Sequence, residues 1–313
     1  MNQRFWDLFG EDYTKNCLLW QHSPANPVIT KTGGEYGFKS HWTANPAILD
    51  FQGRRFLYYR GNGILEDRPG ERHDRLTVAE LIGIDAKGGL CYNDLNDGRI
   101  LFDAGGDNDF DYHVLDPSPV VFRGKVYLYY SATGRYVDSV GLAISEDGEH
   151  FTKYGAVMPG RAPASVVWNG MVYMVTQYRG KLFLHNSEDG INFRMVGPLE
   201  GISRKGDWDG FAITTFRIFR ENDAFYAMYG GSSYLEDEPD YFGLCRSTDL
   251  LHWEPHPGNP VFGCGPKGSP DGGAIWFPAL FEEEDCFAMI YEGSRGKYSW
   301  DLSSEICLST IRK

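Results

Sequence analysis

Four carboxylates stand where the chain enters or leaves runs of apolar and aromatic residues. They are Asp116 in His113-Val-Leu-Asp-Pro-Ser-Pro119, Asp209 in Asp207-Trp-Asp-Gly-Phe211, Asp271 before Gly272-Gly273, and Glu292 ending Met289-Ile-Tyr-Glu. Carboxyl groups brought together in pairs can perform acid–base chemistry: the protonated member assists a leaving oxygen, and the ionised member activates water or attacks carbon. Glu292 has a further argument, since a carboxylate at the end of an apolar strand needs a partner or a function. Asp209 and Asp271, each followed by glycine, also fit turns that hydrogen-bond their own backbone. At comparable positions stand groups suited to a polyhydroxylated ligand. Trp42, Trp208 and Trp276 can stack on C–H faces, and Asn45, Arg60, His113, Arg161 and Gln177 can bond hydroxyls. His41, Ser131, Arg179, Asp207 and Tyr229 occupy similar places.

The elements that would position these residues follow from the local patterns. Asp116-Pro117 precedes Val120-Val-Phe122, a turn at Arg123-Gly124, and Val126-Tyr-Leu-Tyr-Tyr130, which read as two antiparallel strands. Pro117 and Pro119 cannot donate ladder hydrogen bonds, which assigns them to the strand entrance and Asp116 to its mouth. The same layout begins near Asn45, Pro163, Phe211 and Ile275, so five units are expected, each with four strands. Trp20-x-x-x-Pro24-x-Asn26-Pro27-Val28 returns as Trp253-x-x-x-Pro257-x-Asn259-Pro260-Val261. The fifth unit stops before its fourth strand, whereas the Trp20 phrase, after a helix-like segment from Arg4 to Tyr13, is a fourth strand without a unit. The expected fold is all-β: one five-bladed β-propeller over residues 1–313, its N-terminal strand completing the last blade. First-strand starts and second-strand ends then converge on one axial funnel.

Composition bounds the ligand. Among 313 residues the formal net charge is −13, against a nucleic-acid partner, which needs a basic face. The expected partner is a small carbohydrate, and no signal speaks to oligomeric state. No apolar run approaches the roughly 20 residues of a membrane span. Six cysteines without a CxxC pair, and an N-terminus without a basic-then-apolar leader, point to a cytoplasmic protein with reduced thiols. No ligand spacing predicts a metal or other cofactor, and an axial calcium ion is compatible with the pattern.

Two acidic features read as structural. The turns Ser145-Glu-Asp-Gly-Glu-His-Phe151 and Ser187-Glu-Asp-Gly-Ile-Asn-Phe193, with Ser247-Thr-Asp249 as a looser copy, can satisfy their own amides. Glu236-Asp-Glu-Pro-Asp240 reads as a solvated loop.

The Asp116-Pro start, the Ser-x-Asp-Gly turns, and the phrases Asn45-Pro-Ala, Tyr59-Arg60 and Phe277-Pro278-Ala279 resemble the five-bladed propeller glycoside hydrolase superfamily, which includes families 43, 32, 62, 68, 117 and 130. The resemblance spans nearly all of the chain after Leu18. It implies a glycosidase cleaving a small arabino-, fructo-, galacto- or mannoside by carboxylate catalysis in the funnel. Of the three family 43 carboxylates only the second-blade aspartate is matched, by Asp116. Asn45 stands where the first-blade base would be, and Arg161-Ala162-Pro163 where the third-blade acid would be. Family 130, mannoside phosphorylases and related hydrolases, is similar at Asn45, Tyr59-Arg60, Asp116-Pro117 and Phe277-Pro, and its second-blade aspartate is the acid. Ser118 replaces the arginine that usually follows Asp-Pro, and the basic set is limited to Arg60, Arg161 and Arg179, which favours hydrolysis over phosphorolysis. The alternatives are a family-130-like phosphorylase and a non-catalytic carbohydrate-binding propeller.

Overall fold

The computed structural model describes residues 2–106, 109–134, 137–178, 181–202, 207–234, 237–298 and 303–313. Arg179, one of the funnel candidates, and Glu236 of the acidic loop lie outside them. Five antiparallel sheets form the expected propeller. Blade one comprises Trp42–Phe51, Arg54–Leu65, Arg68–Ile84 and Leu90–Asp94; blade two comprises His113–Phe122, Lys125–Thr133, Asp138–Ser145 and Thr152–Pro159. In blade three Arg161–Trp168, Met171–Tyr178, Lys181–Ser187 and Arg194–Pro198 follow one another. Blade four holds Ala212–Glu221, Ala224–Ser232 and Tyr241–Ser247, with Glu254–Pro255 and Phe262–Gly263 both pairing along its third strand.

Blade five closes the ring. Ala274–Glu282, Cys286–Ser294 and Ser304–Arg312 are joined by Gln21–His22, with Gln21 opposite Thr310 and His22 opposite Ser309. The helix-like opening is two short helices, Gln3–Trp6 and Tyr13–Leu18, instead of one. Asn2 and Asp12 cap them by accepting amide hydrogen bonds. From the first helix to just past the second, the chain lays Phe5, Trp6, Phe9 and Trp20 into the core shared by blades four and five, where the Trp20 indole donates to the Val261 carbonyl. Aromatic burial on this scale supplies much of the energy that holds the ring shut.

The Ser-x-Asp-Gly turns are structural, as their chemistry suggests. Asp147 accepts from the amides of Glu149 and His150, Asp189 from those of Ile191 and Asn192, and Asp249 from those of Leu251 and His252. The first two turns also dock on the blade before them: Tyr58 donates to the Gly148 carbonyl and Tyr129 to that of Gly190, both at 2.7 Å.

One local feature recurs in every blade and defines the axis. The inner strand slips register against its neighbour between Ala44 and Ala47, Leu115 and Ser118, Arg161 and Ala164, Thr214 and Arg217, and Trp276 and Ala279. At each slip one residue adopts left-handed backbone: Asn45, Asp116, Ala162, Thr215 and Phe277, all with φ between 47° and 53°. In four of the five a proline follows. The prolines therefore sit inside the strand and not at its entrance. This is tolerated because the inner strand is an edge strand, whose unpaired side needs no N–H donor. Asp116 lies three residues into His113–Phe122. A threonine and a phenylalanine at positive φ are genuine outliers, and bulges of this kind re-aim side chains at functional sites.

Candidate active site

The residues opposite these bulges complete the funnel. Immediately before each slip, Ala44 pairs with Arg60, Leu115 with Ser131, Arg161 with Gln177, Thr214 with Gly230, and Trp276 with Glu292. Trp42, Asn45, Arg60, Asp116, Arg161, Ala162, Gln177, Thr214, Asp237, Trp276, Phe277 and Glu292 surround one cavity of about 230 Å³. Every blade contributes to it. Eight of the residues singled out from the sequence meet here: Trp42, Asn45, Arg60, Asp116, Arg161, Gln177, Trp276 and Glu292.

Asp116 is the centre of charge. It is 4% exposed, and among the described residues no hydrogen bond reaches its carboxylate. Its charge nevertheless acts on five neighbours: the guanidinium groups of Arg60, Arg161 and Arg217 and the carboxyl groups of Asp237 and Glu292. Arg217 lies beneath the floor, donating to the carbonyls of Pro117 and Pro163 and stacking on Phe277 with its guanidinium carbon 4.6 Å from the ring centroid. Burial pulls its pKa down to about 10 against the pull of Asp116, so it stays cationic near neutrality.

Glu292 is held in place by protein groups. Its Oε2 accepts from both the backbone amide and the side-chain Nδ2 of Asn45, at 3.2 and 3.0 Å. Its Oε1 faces Arg60 Nη2 at 3.7 Å, and Arg60 in turn faces Asp74 at 3.6 Å. Burial raises the Glu292 pKa, with Asp116 adding to the rise and Arg60, Ser304 and Asn45 opposing it. For Arg60 burial works against the charged form, but the surrounding carboxylates, Asp74 first, hold its pKa up. Asp74 accepts from Asn62 at 2.9 Å and meets His113 Nδ1 at 3.0 Å, which places His113 behind Arg60 and not on the cavity wall.

Arg161 reaches into the funnel as an exposed side chain with no hydrogen bond or ion pair among the described residues. Burial would lower its pKa, but Asp116, Asp237 and Asp138 raise it. Asp237 is open to the funnel on one side and backed by protein on the others. Its backbone carbonyl accepts from the Trp276 indole at 2.7 Å, and its carboxyl lies 3.0 Å from the Thr214 hydroxyl. Desolvation raises its pKa, Asp116 adds to that, and Arg161 and Thr214 oppose it.

Besides His113, three expected site residues lie elsewhere, and strand alternation explains why. Successive side chains point to opposite faces of a sheet. Glu292 faces Asn45 of blade one, so Tyr291 faces blade four and receives Asp271 there. Asp271 Oδ2 accepts from the Tyr291 hydroxyl at 2.6 Å and pairs with His22 of the N-terminal strand at 2.6 Å. Burial alone would raise the Asp271 pKa, but His22, Tyr291 and Ser269 bring it to about 2. Asp271 is thus a closure latch. Asp209 has the same relation to Tyr229, at 2.9 Å, but with that hydroxyl as its one side-chain donor among the described residues, desolvation raises its pKa to about 6. Trp208 stacks on the Tyr229 ring with centroids 5.6 Å apart and packs in the core between blades three and four. None of the three lines the funnel.

Conversely, sequence reasoning passed over Asp237, Asp74 and Arg217. Arg217 carried a signal, an arginine between Phe216 and Ile218 in the strand Ala212–Glu221. Asp74 sits in His73-Asp-Arg75 at the start of an apolar run. Asp237 carried none, being one of four acids in the segment Glu236–Asp240.

No protein family profile matches the chain, and no curated protein matches it. Solved structures do. A β-1,2-mannobiose phosphorylase from Listeria innocua aligns at 12% identity over 94% of this chain and 96% of its own, with a TM-score of 0.64. A putative glycoside hydrolase from Bacteroides ovatus aligns at 16% identity over 92% and 95%, with a TM-score of 0.66. A thermostable family-43 glycoside hydrolase aligns at 14% identity over 91% and 92%, with a TM-score of 0.61. The chain therefore has the propeller fold found in these glycoside hydrolases and phosphorylases.

Proposed function

We propose that the protein is a glycoside hydrolase that cleaves a small oligosaccharide or glycoside in the axial funnel. The observation that carries this reading is Asp116. It is a carboxylate held by a strained bulge at the convergence of five blades, free of hydrogen bonds among the described residues, with two further carboxyl groups and three guanidinium groups around it. Such a cluster keeps charge in place without engaging Asp116, leaving it to meet the reacting sugar or water. Trp42, Trp276 and Phe277 offer apolar walls for sugar C–H faces, and Gln177, Asn45 and Arg60 supply polar groups. Glu292, bonded to Asn45 and facing Arg60, acts by fixing both.

One observation favours a second reading, phosphorolysis. Arg60 and Arg161 flank Asp116 from either side, which provides the two basic side chains that a phosphate nucleophile requires. Incubation with arabino-, fructo-, manno- and galactosides, with and without inorganic phosphate, separates the two. Hydrolysis releases free sugar without phosphate; a sugar 1-phosphate formed only with phosphate establishes the second reading. Asp116→Asn is expected to lower turnover at least about 10²–10⁴-fold. Full activity in that variant overturns the role of Asp116, and tight binding of a sugar with no cleavage of any glycoside identifies a binding propeller.

A further inference from the structure

The funnel holds three carboxyl groups, and cleavage of a glycosidic bond needs one of them to deliver a proton. Glu292 is 4% exposed, its Oε2 takes two hydrogen bonds from Asn45 and its Oε1 faces the Arg60 guanidinium at 3.7 Å, so its carboxylate is committed to holding these two residues. Asp116 is equally buried, with guanidinium groups on three sides balancing its charge. Asp237 differs from both. It opens to funnel water, and its loop is anchored over the cavity at several points. The Trp276 indole donates to its carbonyl, the Ile275 amide donates to that of Pro239 at 3.1 Å, and Lys297 binds the Asp240 carboxylate at 2.7 Å.

Hydrogen-bond counting adds an independent point. The Thr214 hydroxyl lies 3.0 Å from Asp237 Oδ1 and 3.0 Å from Gln177 Oε1. One hydroxyl proton cannot serve two acceptors. With the Gln177 carbonyl oxygen toward Thr214, as it is here, a proton on Asp237 lets its carboxyl donate to Thr214 and Thr214 donate to Gln177, and both contacts are satisfied. The burial and neighbouring charge that raise its pKa act in the same direction.

We propose that Asp237 is the proton donor of the cleavage reaction, with Asp116 directing the incoming water; this rests on the glycosidase reading above. The bond between the anomeric carbon and the glycosidic oxygen breaks, and its electron pair stays on that oxygen, which takes the Asp237 proton. The water oxygen bonds to the anomeric carbon and passes its proton to Asp116. Exchange through the funnel returns that proton to Asp237. The assignment differs from the one implied by family 130, in which the second-blade aspartate is the acid.

The test compares two leaving groups in the full-length protein: the oligosaccharide identified by the glycoside screen and the glycosyl fluoride of the same terminal sugar, whose fluoride departs with little protonic help. Asp237→Asn is expected to lower kcat/KM on the oligosaccharide by about 10²–10⁴-fold and on the fluoride by less than about 10-fold, and to remove the alkaline limb of the pH profile. Its melting temperature should match that of the unsubstituted protein, since the side chain faces the funnel. Equal losses on both substrates, or no loss on the oligosaccharide, overturn the assignment and leave the glycosidase reading standing. Failure of the unsubstituted protein to cleave any glycoside overturns both.

Discussion

Substituting Asn45 by aspartate places a carboxylate where the resemblance to family 43 puts a base, and the geometry says that it disrupts the site. Asn45 Nδ2 lies 3.0 Å from Glu292 Oε2, and both residues are buried, at 2% and 4% exposure. In Asn45→Asp that donor becomes an oxygen, and two carboxylates face each other with charge centres about 4 Å apart. At an effective dielectric constant of about 20 the repulsion is about 4 kcal/mol. Loss of the charged hydrogen bond adds about 1–3 kcal/mol. The pair relieves the repulsion by sharing one proton, so a carboxyl pKa in the folded state rises above its unfolded value. The sign follows: the folded state then binds more protons than the unfolded one, and stability lost at high pH returns as pH falls. Melting curves are therefore expected to show a deficit of about 8 °C near about pH 8, shrinking toward about pH 5. Asn45→Ala, which removes the donor without adding charge, should show a smaller deficit that does not vary with pH. A pH-independent deficit in Asn45→Asp, or none, would refute the claim that Asn45 is an asparagine because Glu292 is opposite.

Two further predictions test the residues placed outside the funnel. Asp209→Asn keeps an acceptor for Tyr229 and removes a carboxylate whose pKa is raised to about 6, so its melting temperature above about pH 6 should equal or exceed that of the unsubstituted protein, with kcat/KM unchanged. A tenfold or greater loss of activity with intact folding would return Asp209 to the catalytic site. Asp271→Ala should cost about 3–5 kcal/mol and speed amide exchange at Gln21 and His22, because it leaves His22 and Tyr291 without their shared acceptor. The latch also has a pH signature. Its pKa is depressed to about 2, so its roughly 2 kcal/mol is present above about pH 4 and lost as pH falls through about 2, an acid limb that Asp271→Ala should lack.

The sequence by itself determined the ring. Five hairpins with alternating apolar positions can bury their faces only against one another, and the orphan Trp20 phrase and unfinished fifth unit leave one closure, seen in Gln21–His22 pairing with Ser304–Arg312. It also carries a proline after four of the five bulge residues, Asn45, Asp116, Ala162 and Phe277, but a residue before proline ordinarily takes extended backbone, so the left-handed turn at each of them was not legible locally. Which carboxylates see the funnel was a tertiary decision. Asp116, Asp209 and Asp271 look alike locally, yet a single-residue step on the second strand sends Glu292 to the funnel and Tyr291, with Asp271, to the blade interface. Asp237 lies in an acidic run whose composition describes only a solvated loop. Its place over Asp116 comes from contacts with Trp276, Ile275 and Thr214, made across separations in sequence that no local pattern encodes.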